Sequence, residues 1–312
     1  MDFPLVSIVI LTYRRQPVLF QSIETALQQD YRNFEVIVVD NHSGDDTPDL
    51  IQRRYPQVQC IVLPKNLGAA GRNAGFEAAQ GGIVVTIDND VYFNSPHELR
   101  QVVALFSERP SVACLTFRIL QPHTGSLSVR DWFHPRSHVD YADKEFSTYH
   151  IAEGASAFRK DVIDRTGGYD ERLFLGHEGF DLALSILRLG YEVRFTPEVK
   201  VRHHASLETR TPWRPYFYNT RNYFLLGWKH FQPYFGLRFL GPRIAMLSLF
   251  AIRTGNLGYY FRGIAAGIRE RQCFTLSRSP MQKSTEREIR ELSLYRPGLL
   301  FWFRKHAKKP LL

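Results

Sequence analysis

This 312-residue sequence is poor in cysteine and methionine, with three of each. Cys60, Cys114 and Cys273 are odd in number and far apart. They form neither a disulfide framework nor a zinc-ligand spacing, which fits a reducing cytosol. Long apolar runs are also missing. The longest uncharged one, Ile244–Ile252, has nine residues, and a membrane span needs about 20, so no transmembrane helix is expected. No secretory leader is expected either, because Val6–Leu11 is short and runs directly into patterned sequence. Acids are scarce at one end: residues 201–312 hold 20 Lys and Arg against 5 acids, while the first 200 residues hold 20 against 26. The formal net charge of +9 therefore belongs to the C-terminal third. A basic region of this kind seeks an anionic partner. No RRM, zinc or helix-turn-helix signature accompanies it, which argues against nucleic acid.

What is present is alternation. Apolar, β-branched runs at 6–12, 34–40, 58–63, 83–88 and 112–118 read as strands. Helical patterns fall between them at 17–29, 47–55, 69–79 and 96–108, the last capped by Ser95. Strands alternating with helices predict an α/β fold around a mostly parallel sheet. Near-continuous Val and Ile runs predict that both sheet faces are covered. From about 120 to 150 the alternation stops, and this stretch is expected to cover the rim as a mobile loop. Strand-like sequence resumes at 151–159, followed by helical turns at 160–165, a helix at 181–189 and short strands at 193–195 and 199–202.

The polar segments fall where such a sheet binds ligands, beyond the strand C-termini. Thr12-Tyr-Arg-Arg15 follows the first strand and Asp40-Asn-His-Ser-Gly-Asp-Asp46 the second. Pro64 to Gly75 follows the third, with Asn66, Gly68 and Arg72, and Asp88-Asn-Asp90 follows the fourth. Two acids at a strand end can hold a hard divalent cation, or can simply cap the next segment. Asp40 can accept from a ribose or base edge, or cap the turn at Ser43-Gly44. Arg72 in a first helical turn opposes the helix dipole, which favours a phosphate-binding role. Glu178 and Asp181 sit at a helix start, as first-turn acids or as a general base. His203-His204 can ligate a metal, contact phosphate, or do neither.

Taken together these residues resemble the GT-A fold glycosyltransferases of family 2, over roughly residues 5–205, most of all the bacterial rhamnosyltransferase-like enzymes of surface-glycan assembly. The resemblance rests on Ser7 to Tyr13, Val38 to Thr47, Asn66-Leu-Gly68 with Arg72-Asn-Ala-Gly75, and Ile87 to Val91. It continues through Gly154 to Arg159, Gly167 to Glu171, Glu178 to Leu182, Gly190-Tyr191, Pro197 and His203. It implies an inverting transferase with a nucleotide-diphosphate sugar donor, a divalent metal (Mn2+ or Mg2+) and a glycan or lipid-linked acceptor. It assigns Thr12, Tyr13, Arg14 and Asp40 to the nucleoside pocket, with Asn66, Gly68 and Arg72 beside it. Asp88 would approach the ribose or sugar, Asp90 the metal, and His203 or His204 the diphosphate. One departure stands out. Where members commonly carry Glu-Asp-x-Asp-Leu, this chain reads Glu178-Gly-Phe-Asp-Leu182. The second acid, often the base, is Gly179, so Glu178 is the favoured base and Asp181 the other candidate. A catalytically lapsed sugar-nucleotide-binding or scaffold protein is the competing reading.

Residues 206–312 lie mostly outside the resemblance. They are expected to form basic amphipathic helices, either lying on the inner face of the cell membrane or capping the catalytic domain at 1–205. Trp213-Arg214 and Arg221-Asn222 are candidate acceptor contacts, and Phe301 to Lys309 is the expected membrane-touching tail.

Overall fold

A computed structural model describes residues 4–204, 211–274 and 278–294. The segment 301–309 lies outside them. The Val and Ile runs form the strands β1 (Val6–Thr12), β2 (Phe34–Asp40), β3 (Gln59–Val62) and β4 (Ile83–Asp88). The helices between them are α1 (Gln16–Leu27), α2 (Thr47–Arg54) and α3 (Arg72–Ala78), the last preceded by a 3-10 turn at Gly68–Gly71. Then come β5 (Val91–Phe93), α4 (Glu98–Glu108), β6 (Val112–Leu120), α5 (His138–Tyr141), β7 (Phe146–Ser147), β8 (Ala155–Arg159), α6 (Lys160–Thr166), α7 (Glu178–Arg188) and β9 (Glu192–His203). The last helices are α8 (Arg214–His230), α9 (Pro233–Arg253), α10 (Leu257–Glu270) and α11 (Lys283–Leu294).

The sheet runs β3-β2-β1-β4-β8-β6-β9-β5, with β7 paired to β9. β1, β2, β3 and β4 pair in parallel, but β8 is antiparallel to both β4 and β6. The sheet is therefore mixed. The cause is local: β8 is reached through the 120–154 excursion rather than a crossover helix, so it can enter from the opposite end. The two short strands expected at 193–195 and 199–202 are one strand, β9. Its register against β6 shifts around Pro197, which has no N–H for the ladder.

The 120–150 stretch is held in place. Trp132 lies between His134, Phe146 and Phe195, with ring centroids 4.9–6.0 Å apart. Its Nε1 donates to Arg136 O at 2.7 Å. The aromatics of this stretch supply a small core of their own.

Helices cover both sheet faces. Leu19, Ile23, Leu99 and Phe106 pack on Ile8, Ile10 and Val85 on one side, and Phe76, Ile163, Leu182 and Ile186 pack on Val9, Val39 and Val84 on the other. α7 is buried all round from Glu178 to Leu187. Its far side, with Phe180, Leu184 and Leu187, packs on Leu225, Phe231 and Phe239 of the C-terminal helices. A buried Leu such as Leu184 contributes about 1.5–3 kcal/mol, so α7 is the seam joining sheet and helices. It also carries two acids, Glu178 and Asp181, into that seam.

α9 is longer than its nine-residue apolar run suggests. It runs unbroken for 21 residues, including Pro242, and most of it is not buried. By length and composition alone it is the one helix among the described residues that could cross a membrane. Arg238 and Arg243 interrupt the apolar run in sequence without interrupting the helix.

Candidate functional site

The ends of β1, β2 and β4 meet on one rim. Thr12 is buried, and its Oγ1 accepts from Asn89 Nδ2 at 3.0 Å. Tyr13 is exposed, with the Arg14 guanidinium 5.1 Å from its ring centre. Arg14 has φ +53, and its N–H donates to Ser43 Oγ at 3.0 Å, which ties the first loop to the second. Asp40 is buried and accepts from Ser43 N at 3.1 Å and from the Ser43 hydroxyl, so the turn-capping role is present. Asn66 Oδ1 accepts from Gly68 N at 2.8 Å and from Asn41 Nδ2 at 3.2 Å, which fixes the third loop to the second. Gly68 has φ +62 and lies against Phe174 O, a place with no room for a Cβ.

Arg72 is buried and pairs with Asp88, and its Nη1 donates to Ala69 O at 3.3 Å. Its buried Nε has no partner among the described residues. Asp88 faces outward, with 39% of its side chain exposed, over Gly154, where any Cβ would strike the Asp88 carboxylate. Asp90, two residues on, is buried and pairs with Arg15. His203 Nε2 lies 3.7 Å from Asp90 Oδ1, and its Nδ1 lies 3.0 Å from Asp131 Oδ2. Burial would favour neutral His203, but Asp131 and Asp90 outweigh it and hold the imidazole up to about 10. Burial likewise works against charge on Asp90, yet His203 and Arg15 keep its carboxyl below the usual range. The rim thus brings Asp90 and His203 together. His204 contributes backbone, its N–H donating to Asp90 O at 2.7 Å, while its ring packs against His123. No group of three or more His, Cys, Asp or Glu suited to a metal occurs among the described residues.

The two acids of α7 part company. Burial pushes the Glu178 carboxyl up to about 8, the Glu153 carboxylate adds to the rise, and nearby backbone N–H groups and Arg72 oppose it. Glu153 is itself raised, by burial of its carboxyl first, against the pull of Arg72. Its Oε1 accepts from Gly179 N at 2.7 Å. Asp88, Glu153 and Glu178 therefore share one guanidinium, that of Arg72. Asp181 points the other way. It accepts from His230 Nε2 at 2.6 Å and Lys229 Nζ at 2.8 Å, both on α8. Burial would raise its carboxyl, but His230 and Lys229 prevail and hold it to about 2. Asp181 joins α7 to α8 rather than facing the rim.

Arg221 and Asn222 build the approach to α7 instead of an open pocket. The Asn222 amide lies within 2.6–3.1 Å of the carbonyls of Leu173, Leu175 and Gly176, and Arg221 Nη2 donates to Arg172 O and Leu173 O. Trp213 stacks on Tyr259, 5.1 Å between centroids. The sequence reading missed Arg15, Asp131 and Glu153. Arg15 follows a strand end in the sequence, whereas Glu153 falls inside the strand-like run at 151–159 and Asp131 comes from the irregular excursion, so neither gives such a signal.

A family model described as "Glycosyl transferase family 2" matches residues 7–167, which include every rim loop of β1 to β4. The chain belongs to glycosyltransferase family 2. It is 28% identical over 209 residues to an Escherichia coli UDP-Glc:alpha-D-GlcNAc-diphosphoundecaprenol beta-1,3-glucosyltransferase, covering 65% of this chain and 78% of that one. It is 24% identical over 225 residues to a Salmonella anatum O-antigen chain rhamnosyltransferase, covering 69% and 70%. An uncharacterized Sinorhizobium fredii protein is 30% identical over 226 residues, where the match spans 65% of this chain and only 25% of the relative. Among solved structures, the mannosyltransferase of Pyrobaculum calidifontis in complex with GDP-Man and Mn2+ superposes with a TM-score of 0.58 at 18% identity, covering 98% of this chain and 88% of that one. GalNAc-T7 with UDP, GalNAc and Mn2+ gives 0.57 at 16%, covering 72% and 48%. The fold is that of the GT-A glycosyltransferases, a mixed sheet with flanking helices and a helical C-terminal region.

Proposed function

We propose that this family 2 glycosyltransferase moves a sugar from a nucleoside-diphosphate donor to a hydroxyl of a glycan or lipid-linked acceptor, with inversion, in bacterial surface-glycan assembly. The observation that carries it is the pairing at one rim of Arg72 with Asp88 and of Asp90 with His203, at the mouths of β4 and β9. The names of the Escherichia coli and Salmonella relatives support the donor and acceptor classes.

A divalent cation fits the donor set. Asp90 offers a carboxylate oxygen and His203, once a cation displaces its Nε2 proton, an imidazole nitrogen, and hard cations commonly take one or two protein ligands and complete their shell with phosphate oxygens and water. When bound there it would act as a Lewis acid toward the departing diphosphate. The chain's own residues do the rest. Thr12, Tyr13, Arg14 and Asp40 flank the nucleoside, Asn66 and Gly68 shape the adjoining loop, and Arg72 keeps Asp88 aimed at the ribose or sugar. A carboxylate beside the head of α7, in the group around Arg72, takes the acceptor proton.

The basic helices give the proposed place of work, the inner face of the cell membrane. Tyr234 and Leu237 on α9 are 71% and 73% exposed, and Ile252 and Phe261 are exposed near Arg253 and Arg262. Apolar side chains set among arginines suit an anionic bilayer surface.

Calorimetric titration with UDP-glucose, GDP-mannose and dTDP-rhamnose, with and without Mn2+, tests the reading. At least one donor should bind, and more tightly with Mn2+. Binding of none would overturn it.

A further inference from the structure

The space beside Gly179 is filled by a carboxylate from another element. A Cβ on Gly179 would lie 2.6 Å from Glu153 Oε1 and against Ile151 O. The same Oε1 already accepts from the Gly179 N–H. Glu153 thus reaches across from the approach to β8 and rests on the first turn of α7, where a side chain of residue 179 would project. The neighbouring Gly154 packs on Asp88, so this carboxylate stands next to the outward-facing acid of the rim.

Of the acids gathered around Arg72, only Glu153 combines access with freedom. Asp88 is tied to Arg72 by an ion pair. Glu178 is 4% exposed. Glu153 keeps part of its surface open, and no ion pair engages it among the described residues. Arg72 on α3, Asp88 on β4, Glu178 on α7 and Tyr169 are the titratable and charged groups that face it. Burial raises its proton affinity against the pull of Arg72, as suits a base working near neutral pH.

We propose that Glu153 is the general base of glycosyl transfer, taking the place of the side chain that Gly179 lacks. The inference rests on the transfer reading above. In the step, the Glu153 carboxylate accepts the proton of the acceptor hydroxyl as the hydroxyl oxygen bonds to the anomeric carbon. The bond from that carbon to the diphosphate oxygen breaks, and its electron pair leaves with the diphosphate. Glu178, deeper and next to Glu153, tunes the base rather than touching the acceptor.

The test uses the full chain, Mn2+ and whichever of the three donors binds, with water as acceptor and release of nucleoside diphosphate as readout. Glu153→Gln should lower release by about 100-fold or more, the scale of general-base catalysis, with donor Kd within about threefold of wild type. Glu153→Asp, which keeps the carboxylate, should recover part of the rate. Glu178→Gln should stay within about tenfold of wild type, a loss smaller than a missing base would cause. Full turnover by Glu153→Gln, or loss of donor binding in both Glu153 variants, would overturn the assignment and leave the transfer reading standing. A wild-type chain that binds donor without releasing diphosphate would also overturn it, in favour of a binding role. A wild type that binds no donor removes the transfer reading itself, and this assignment with it.

Discussion

Glu178 and Asp181 lie one helical turn apart on α7 and occupy opposite electrostatic worlds. Around Asp181, at the α7–α8 seam, Lys229 and His230 both point at one carboxylate. Around Glu178, at the rim, three carboxyls share Arg72. One acid is held down to about 2 and the other pushed up to about 8. The seam is neutralised and serves cohesion. The rim sets three carboxyls against one guanidinium, so a carboxylate there can accept a proton. The same helix therefore carries one acid into a cohesive seam and another beside the proposed base, told apart by what faces them and not by their spacing.

The largest effect should come from breaking the seam. Asp181→Asn leaves His230 without its anion and Lys229 with Asp170 alone, and losing hydrogen bonds to a buried charged group costs about 1.5–3 kcal/mol. Urea denaturation at pH 7 would show it, and a loss under about 1 kcal/mol would break the comparison. The sign with pH follows. A carboxyl depressed in the folded state stabilises above its unfolded value and loses that contribution as pH falls through the folded one. Wild-type stability should therefore drop by about 2 kcal/mol between pH 4 and pH 2 on account of Asp181, and the variant should lack that drop.

Next in size is the metal side of the rim. Asp90→Ala should cost at least about tenfold in Mn2+-dependent donor affinity, about 1.4 kcal/mol. Calorimetry with and without Mn2+ measures it, and an unchanged metal dependence would remove Asp90 from the proposed ligand pair.

Glu178 sharpens the comparison in the opposite direction. A carboxyl raised in the folded state keeps its proton there while the unfolded chain has already released it. Wild-type stability should decline between about pH 4.5 and 8. Glu178→Gln removes this decline, so it should gain more than about 1 kcal/mol over wild type at pH 8 and nothing near pH 4. Thermal melts at the two pH values decide, and equal differences at both would contradict the buried, crowded setting of this acid.

The smallest effect belongs to the outer helices. Leu237→Glu places one negative charge on the exposed face of α9 and should weaken sedimentation with anionic liposomes a few-fold, since a single charge near such a surface is worth about 1 kcal/mol. Unchanged pelleting would take this face out of the membrane argument.

The rim was largely legible in the sequence because its positions follow local rules. Strand ends carry ligands, so Thr12, Asp40, Asp88 and Asp90 could be picked from the apolar runs before them. Helix existence was equally readable. Strand direction was not, because β8 looks the same in sequence whether it runs parallel or antiparallel, and only its route through 120–154 decides. The roles of Glu178 and Asp181 were hidden for a similar reason. Each depends on residues far away in the chain, Glu153 and Arg72 for one, Lys229 and His230 for the other. Gly179 was readable as a missing acid, but the carboxylate beside it arrives from 26 positions earlier.

Whether this rim transfers sugar with inversion is read from proton NMR of the wild-type chain turning over its donor. With Mn2+ and an α-linked donor such as UDP-glucose, and water as acceptor, the account predicts that nucleoside diphosphate accumulates and that the first hexose signal to appear is the β anomer, before mutarotation. An α anomer appearing first, or no donor consumed, would contradict it.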